Sequence, residues 1–320
     1  MARPRRLALL ALLLIPCLGA AACGEKDEPL GPKAGTVELA LDFQPNAVHA
    51  GVLTAEQEGF DRRNGVDLEV RSPAASTDSL KLLAAGRADL SIVDIHDLGL
   101  ARERGADVVG VGAIVQRPLA AVIARPGVRR PRDLEGKRVG VTGLPSDEAV
   151  LRAVVESDGG NYERVRRRTI GFSAVPTLLA RRVDAVVTFW NAEGVALRRR
   201  GVRTREFRVD DFGAPRYPEL VLATTAETLR RRPELVRSTV RALADGTRAA
   251  LEDRDAAVSR IVRASSSDAA LVRAQLAAVA SAFEPPLRMD RRALEGWARF
   301  DTRFGILEER PVVDEAFQLR

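Results

Sequence analysis

Cysteine, histidine, lysine and aromatic residues are all scarce in this sequence of 320 residues. Its two cysteines, Cys17 and Cys23, both lie near the start. The body of the chain can therefore form neither a disulfide nor a thiolate metal site. Its two histidines, His49 and His96, are too few for a multi-histidine metal centre. We accordingly predict no metal site and no cofactor.

Long apolar segments are also missing, because no stretch reaches the ~18 residues that a membrane-spanning helix requires. The longest one, residues 7–18, follows three arginines and precedes small residues and Cys23. This order predicts an exported chain with a signal peptide over residues 1–22. The position of Cys23 resembles a bacterial lipobox, in which the cysteine is lipidated and anchors the protein to the outer face of the cell membrane. The alternative is an ordinary signal peptide cut near Ala22.

Lysine contributes only four of the 50 basic residues, although the net charge is +6 and the isoelectric point is near 9.9. The predicted signal holds three arginines and no acid, so its removal leaves +3. Arginine-rich segments such as 164–168 and 198–200 lack the interleaved aromatic residues of a strand-binding surface. They indicate solvated faces, and we predict no nucleic-acid partner. Residues 23–35 are polar and rich in glycine and proline, which predicts a flexible tether.

From Thr36 onward, short apolar segments alternate with amphipathic ones, a pattern that predicts an α/β fold with largely parallel sheets. Proline and glycine at 125–131, and prolines at 215 and 218, predict two crossings between lobes. Lobe 1 would be discontinuous, with residues 36–127 and 216–320, and lobe 2 would cover 128–215. Facing lobes of this kind form a ligand cleft at the carboxyl ends of their strands and close by hinge motion.

The predicted secondary structure follows from the same alternation. Helices are expected to begin at Asn46, at Ser76 or Thr77, and at Ser146, and most of the chain after residue 233 is expected to be helical. The predicted strands cover residues 37–41, 68–71, 88–93, 108–114, 120–124, 138–141, 165–170, 185–188 and 220–223.

Three segments at strand-to-helix turns hold candidate binding residues. The first contains Asp42, Phe43, Asn46 and His49, which offer a carboxylate, a ring face and polar groups. The other interpretation of this segment is turn and capping chemistry, with His49 as a surface histidine.

The second segment, residues 143–148, contains Ser146 as an expected helix cap, followed by Asp147 and Glu148. These two carboxylates argue against a phosphate site at the helix start, and capping is their expected role.

The third segment contains Trp190, Asn191 and Glu193. A ring face stacks on a flat heterocycle, an amide donates and accepts, and a carboxylate accepts from an amine. This set suits a planar, amine-bearing ligand. The alternative is a packed tryptophan beside a glutamate that starts a helix.

No set of nucleophile, base and orienting group occurs in the sequence, and no serine lies in a Gly-x-Ser-x-Gly turn. We therefore predict a binding protein with no catalytic residues rather than an enzyme.

The same segments resemble a known family. Residues 41–51, 58–60, 64–68, 83–90, 134–137, 143–148 and 190–194 are similar to those of thiamine-pyrimidine-precursor binding proteins. The resemblance spans roughly residues 36–250. It implies a two-lobed type 2 periplasmic-binding-protein fold that works with the permease and ATPase subunits of an ABC transporter. The implied ligand is an aminopyrimidine such as formylaminopyrimidine or hydroxymethylpyrimidine.

By position, the resemblance implies that one wall of the cleft is lined by Asp42, Phe43, Asn46 and His49. The other wall would be lined by Trp190, Asn191 and Glu193. Asp94 and Ser146 complete the predicted set of ligand-binding residues. Phe43 stands where a tryptophan is common, and Asp94 and His96 stand where relatives place an aromatic or an amide. Riboflavin, or nitrate, sulfonates and taurine, are the alternative solutes. A pyrimidine synthase is the alternative of a different class, although this chain lacks the cysteine-rich iron-binding segment of those relatives.

Overall fold

The computed structural model describes residues 35–74 and 78–319. The predicted signal peptide, Cys23, nearly all of the predicted tether and the expected helix start at Ser76 or Thr77 lie outside these residues. Among the described residues, no helix combines the length and the apolar character needed to span a membrane.

The strands form in the apolar segments and the helices in the amphipathic segments, so the predicted α/β class is confirmed. The strands are β1 (Gly35–Ala40), β2 (Val66–Arg71), β3 (Leu90–Asp94), β4 (Val108–Ala113), β5 (Ala120–Ala124), β6 (Arg138–Val141), β7 (Arg166–Thr169), β8 (Ala185–Phe189), β9 (Arg205–Arg208) and β10 (Leu220–Thr225). The helices are α1 (Ala50–Gln57), α2 (Phe60–Arg63), α3 (Asp78–Ala84), α4 (Ile95–Glu103), α5 (Pro145–Ser157), α6 (Ala174–Leu179), α7 (Glu193–Arg199), α8 (Ala226–Arg231), α9 (Pro233–Glu252), α10 (Arg254–Ser265), α11 (Ala269–Val279), α12 (Arg291–Arg303) and α13 (Val313–Ala316).

The two sheets have the same topology. Their strand orders are β2-β1-β3-β10-β4 and β7-β6-β8-β5-β9. In each sheet the fourth strand, β10 or β5, runs antiparallel to both of its neighbours. It is also the strand by which the chain enters that sheet from the other one. The carboxyl ends of the parallel strands of both sheets consequently border one cleft.

The chain passes between the sheets twice. The first crossing, residues 114–119, joins β4 to β5, and the second, residues 209–219, joins β9 to β10. The Arg117 guanidinium lies 2.5 Å from the Asp210 carboxylate, and the Leu119 N–H donates to Glu219 Oε2 at 3.0 Å. These two contacts tie the crossings to each other, so the segments on which the sheets would hinge form one unit.

The first crossing differs from its predicted place. The sequence places β5 in lobe 1, with the crossing after it at the proline-rich segment 125–131, but β5 pairs with β8 and β9 in the second sheet. All five residues of β5 are buried, so their pattern carries no information on which sheet they join. We therefore infer a lobe boundary between residues 113 and 120. Strand β9, whose residues Arg205–Arg208 are mostly polar, has no predicted counterpart.

Close packing in the first lobe depends on two glycines. Helices α1 and α9 cross where Gly51 meets Gly246. A Cβ on Gly246 would lie 2.4 Å from the Gly51 carbonyl oxygen, so no larger side chain fits there. This crossing secures the helix that follows the first candidate segment, and so the position of Asp42 and Asn46.

Candidate functional site

A cavity of about 260 Å³ lies between the two sheets, at the carboxyl ends of their parallel strands. Five carboxylates border it, together with the rings of Phe43, Phe172 and Phe189. The acidic residues are Asp42, Asp94, Asp97, Asp147 and Glu193. Only two basic residues, Lys81 and Arg104, are among the described residues of its lining, and both are exposed. The cavity is therefore rich in acidic side chains.

Asp42 follows β1 and is held by a buried histidine. The Asn46 N–H donates to His49 Nδ1 at 3.1 Å, so the proton of the neutral ring lies on Nε2. That nitrogen donates to Asp42 Oδ1 at 2.9 Å. His49 is completely buried and lies behind the lining rather than in it. Its expected place in the wall is wrong, because the helical turn directs the ring back onto Asp42.

Asn46 performs the capping that the sequence predicts, since its side chain accepts from the Val48 N–H at 3.0 Å. It also lines the cavity. The two interpretations of this residue, helix cap and binding residue, are thus compatible in the structure.

Asp94 and Asp97 lie at the start of α4, where β3 ends. Asp94 caps this helix by accepting from the His96 N–H at 2.8 Å. Burial raises the pKa of Asp94 well above its usual range. Asp97 accepts two bonds from helix α5 of the second lobe, from the Ser146 N–H at 3.1 Å and the Ser146 hydroxyl at 3.0 Å. Burial raises the pKa of Asp97 to about 6, although these bonds oppose the shift.

Ser146 joins the two lobes rather than capping α5. The residue at the N-cap position is Leu144, which makes no side-chain cap, and Ser146 lies inside the first turn. The expected cap is therefore wrong, because Pro145 already occupies the first helical position. The Ser146 hydroxyl is free to donate across the cleft to Asp97.

Asp147 turns back to the end of β6. Its carboxylate accepts from the N–H of Thr142 and from the hydroxyl of the same residue, the latter at 2.6 Å. Burial raises the pKa of Asp147 to about 7. The expectation that Asp147 only complements the helix dipole is incomplete, since its carboxylate borders the cavity.

Of the third candidate segment, only Glu193 lines the cavity, while Trp190 and Asn191 are buried behind it. Glu193 lines the cavity at the start of α7, accepts from the Phe189 N–H at 3.4 Å, and has a pKa raised by burial. Trp190 and Asn191 lie behind this wall, with 5% and 0% of their surfaces exposed. Their predicted place in the cavity is wrong.

Trp190 is directed towards the crossings. Its indole N–H donates to the Pro118 carbonyl at 3.2 Å, and the Arg208 guanidinium lies 4.3 Å from its ring. A cation therefore occupies the face that was expected to receive a heterocycle. The Asn191 amide has no hydrogen-bond partner among the described residues.

An aromatic pair closes one side of the cavity. Phe43, after β1, and Phe172, after β7, meet edge to face across the cleft with ring centroids 4.2 Å apart. Sequence reasoning missed Phe172, Phe189, Asp97 and Asp147 as lining residues. Each lies at or just after the carboxyl end of a strand, or at the start of the helix that follows, so the rule that found the three segments could have found them too.

Behind Asp94 lies a buried polar cluster. His96 Nδ1 is 2.7 Å from Asp301 Oδ1, and His96 Nε2 is 3.1 Å from the Tyr217 hydroxyl. Burial disfavours a charged His96, but the acidic groups of Asp301, Asp94 and Glu219 together outweigh this and raise the pKa of His96 to about 10. His96 thus joins α4 to α12 through Asp301 and does not line the cavity.

Comparison with known proteins gives matches in one sequence family and in one fold. Residues 46–257 match the family model described as NMT1/THI5 like. The formylaminopyrimidine-binding protein of Halalkalibacterium halodurans is 33% identical over 77% of this chain and 76% of its own. A 4-amino-5-hydroxymethyl-2-methylpyrimidine phosphate synthase of Legionella pneumophila is 26% identical over 66% and 67%. The alkanesulfonate-binding protein of Xanthomonas axonopodis pv. citri, solved bound to MOPS, superposes with a TM-score of 0.72, 18% identity and coverage of 88% and 98%.

Proposed function

Because this chain belongs to the NMT1/THI5-like family, we propose that it is the solute-binding protein of an ABC importer and that its solute is a flat, amine-bearing heterocycle of the aminopyrimidine type. It is a binding protein rather than an enzyme. The formylaminopyrimidine-binding relative, at 33% identity, supports this class and this ligand.

The acidic lining of the cavity is the observation that carries the ligand proposal. Ionised carboxylates only accept hydrogen bonds, so a solute matched to Asp42, Asp97 and Glu193 must bring donors. An exocyclic amine supplies two donors, and a protonated ring nitrogen supplies another together with a positive charge. Aminopyrimidines contain the first of these groups and form the second on protonation.

The three phenylalanine rings support a flat solute. Phe43, Phe172 and Phe189 border the same space as the carboxylates, and aromatic faces stack on planar rings. A cavity of about 260 Å³ suits a single-ring compound better than riboflavin, whose three fused rings and sugar chain need more room.

Nitrate, sulfonates and taurine are disfavoured by charge. An anion in the cavity would meet five acidic side chains, of which Asp97, with a pKa raised only to about 6, is mostly ionised at neutral pH, and it would lose its hydration without a buried cation beside it. Lys81 and Arg104, the two basic residues of the described lining, are exposed. The superposition on the alkanesulfonate-binding protein, at 18% identity, therefore supports the fold and not that ligand.

Thermal unfolding with a solute panel tests the ligand proposal. An aminopyrimidine at 100 times its dissociation constant should stabilise the protein by about 2.7 kcal/mol. For a chain of this size that corresponds to a rise in Tm of roughly 4–5 °C. Riboflavin, taurine and nitrate should leave Tm unchanged. No shift with any aminopyrimidine would exclude the proposed ligand.

An assay for turnover distinguishes a pyrimidine synthase from a binding protein. Candidate substrates incubated with the protein, with and without iron, should be recovered unchanged by mass spectrometry. A pyrimidine product formed in a time-dependent manner would overturn the binding-protein assignment.

We further propose that Cys23 is lipidated and that the lipid holds the protein beside its permease and ATPase. The order of charged, apolar and small residues before Cys23 supports this. Intact-mass measurement of membrane-extracted protein should give the mass of residues 23–320 plus acyl chains. The Cys23→Ser variant should be recovered in the soluble exported fraction. An unmodified Cys23 in the membrane fraction would contradict the anchor.

A further inference from the structure

Two residues of the cavity lining, Asp42 and Asn46, are bound to one buried imidazole ring. His49 Nε2 donates to Asp42 Oδ1 at 2.9 Å, and His49 Nδ1 accepts from the Asn46 backbone N–H at 3.1 Å. The ring is planar and rigid, so its two nitrogens set the separation of residues 42 and 46. None of the His49 side chain is exposed, and solvent therefore does not compete for either bond.

The bond from His49 leaves one acceptor atom of Asp42 for a solute. Asp42 Oδ1 accepts from His49, whereas Oδ2 has no hydrogen-bond partner within residues 35–74 and 78–319. The side chain of Asp42 is 13% exposed and borders the cavity. Because a carboxylate only accepts hydrogen bonds, residue 42 offers the cavity an acceptor and no donor.

The side-chain amide of Asn46 is oriented by two bonds of its own. Its oxygen accepts from the Val48 N–H at 3.0 Å, and its nitrogen donates to the Gln44 carbonyl at 3.0 Å. An amide nitrogen carries two protons, and the second one makes no hydrogen bond to any residue that the structure describes. This remaining N–H is a donor available to a solute at the cavity wall.

An acceptor and a donor held by one ring match one edge of an aminopyrimidine. In a 4-aminopyrimidine the exocyclic amine donates and the adjacent ring nitrogen accepts. The amine fits Asp42 and the ring nitrogen fits Asn46, so the edge would form two hydrogen bonds of opposite direction. Paired bonds of this kind discriminate between bases in nucleic acids. An oxo group in place of the amine would meet the Asp42 carboxylate with an acceptor against an acceptor.

We propose that His49 is a positioning residue, which fixes the direction of these two hydrogen bonds and so selects a ring nitrogen flanked by an amine. The inference rests on the proposed function, in which the solute is an aminopyrimidine. It adds the edge by which this solute is recognised and the residue that orients the groups reading it. His49 does not border the cavity and acts through Asp42 and Asn46.

A purely structural role for His49 makes a different prediction. The bond to the Asn46 N–H also closes the start of the short helical segment 47–49, so loss of the imidazole would loosen this turn. A loosened turn weakens the binding of every solute alike. A positioning residue changes which solute is preferred, and the ratio of two dissociation constants therefore separates the two roles.

Isothermal titration calorimetry of residues 23–320 with 4-amino-2-methylpyrimidine and 2-methylpyrimidin-4-one gives this ratio. The parent chain should bind the amine compound roughly 10- to 100-fold more tightly. Asp42→Asn should invert the preference. The His49 Nε2–H then holds the oxygen of the new amide and directs its NH2 group towards the cavity, where it donates to the oxo group. The 1H tautomer of the oxo compound keeps an acceptor nitrogen for Asn46.

The decisive variants combine Asp42→Asn with changes of His49. Adding His49→Leu should abolish the inverted preference, because the amide at position 42 is then free to turn either end to the cavity. Adding His49→Gln should keep the inversion, since a glutamine amide can accept from the Asn46 N–H and donate to residue 42 as the imidazole does. Retention of the amine preference in Asp42→Asn, or an inverted preference that survives His49→Leu, would overturn the proposal.

The matched control is Thr54→Val, which removes a buried hydroxyl from α1 in the same lobe and outside the described cavity lining. Its ratio of dissociation constants should equal that of the parent chain. A control that loses the preference as the His49→Leu variant does would show that any disturbance of this region suffices, and would overturn the positioning role.

Nitrogen-15 NMR of the imidazole gives a test that needs neither a solute nor the leucine variant. At about pH 7.5 the His49 ring of the solute-free chain should carry its proton on Nε2, and it should keep this tautomer in Asp42→Asn. A proton on Nδ1 would overturn the geometry on which the proposal rests. If neither compound binds the parent chain, the proposed ligand is excluded and the selection inferred here with it, whereas the tautomer still shows whether His49 orients residue 42.

Discussion

At the scale of single residues, the cavity consists of acceptors whose charge depends on burial. Asp97 and Ser146 bind each other across the cleft, and Asp147 is held by Thr142. Glu193 accepts a long bond from the Phe189 N–H and interacts with Thr188 and with its own N–H, and it borders the cavity at the start of α7.

Replacing Glu193 by glutamine should weaken aminopyrimidine binding by about 1.5–3 kcal/mol, because a charge-assisted hydrogen bond is lost while the shape is kept. Isothermal titration calorimetry measures this as a rise in Kd of roughly 10- to 150-fold. Glu148→Gln is the matched control, since Glu148 is exposed and outside the described cavity lining. An unchanged Kd for Glu193→Gln would remove this residue from the site.

The buried carboxylates also predict how stability depends on pH. Burial raises the pKa of Asp97 to about 6 and of Asp147 to about 7, whereas both groups titrate near 4 in an unfolded chain. Between about pH 4 and 7 the folded protein therefore binds more protons than the unfolded chain. Its free energy of unfolding consequently falls as the pH rises through this window.

In the variant Asp147→Asn, the free energy of unfolding should fall less as the pH rises. Asparagine keeps an acceptor oxygen for Thr142 but does not titrate, so Tm should change less between pH 5 and pH 7.5 than in the parent protein. Differential scanning calorimetry at both pH values gives the comparison. Glu163→Gln, which removes a solvated carboxylate, is the control. A variant with the full parental pH dependence would show that Asp147 is not the titrating group.

At the scale of elements, several contacts join the lobes beside the cavity. They include the bond from the first turn of α5 to Asp97 in α4, the bond from the Gln275 side chain of α11 to the Ala192 carbonyl, and the ring contact between the segments that follow β1 and β7. The ring contact lies at the cavity wall, and we expect a leaving solute to break it.

Truncating Phe172 to alanine should therefore raise the rate of solute release. An aromatic pair contributes about 0.5–1.5 kcal/mol beyond its buried area, which corresponds to a roughly 2- to 12-fold faster koff with little change in kon. Stopped-flow fluorescence measures both rates. Phe60→Ala, a truncation on α2 outside the described lining, should leave both unchanged. Slower release in Phe172→Ala would contradict a closing role.

At the scale of the whole molecule, the lobes are joined by two crossings that are tied to each other by Arg117–Asp210 and Leu119–Glu219. A pair of linked segments of this kind permits rotation of one lobe against the other while it limits sliding.

Solute should therefore make the protein more compact. The radius of gyration of a compact chain of this length is about 19 Å, and we expect it to fall by roughly 1 Å when aminopyrimidine saturates the protein. Small-angle X-ray scattering with and without solute measures this change, with taurine as the non-binding control. The same radius in all three samples would exclude hinge closure.

Much of the architecture could be predicted from local pattern. The predicted strands at 108–114, 120–124 and 138–141 agree closely with β4, β5 and β6. Short apolar runs bounded by glycine and proline are typical of buried strands. The family, the α/β class and the binding-protein class are confirmed. The mostly polar β9, helix α4 and the short helices α2, α6, α8 and α13 were missed, because their formation depends on neighbouring elements more than on their own residues.

The sequence by itself determined the alternation of strands and helices, the family, and the candidate residues Asp42, Phe43, Asn46, Asp94, Ser146 and Glu193 that border the cavity. Only the tertiary structure decided that Trp190, Asn191 and His49 lie behind the wall and that β5 belongs to the second sheet. The physical reason is that strand pairing and side-chain direction are settled by contacts between distant residues. A local sequence pattern encodes burial and periodicity, but not which strand or helix an element packs against.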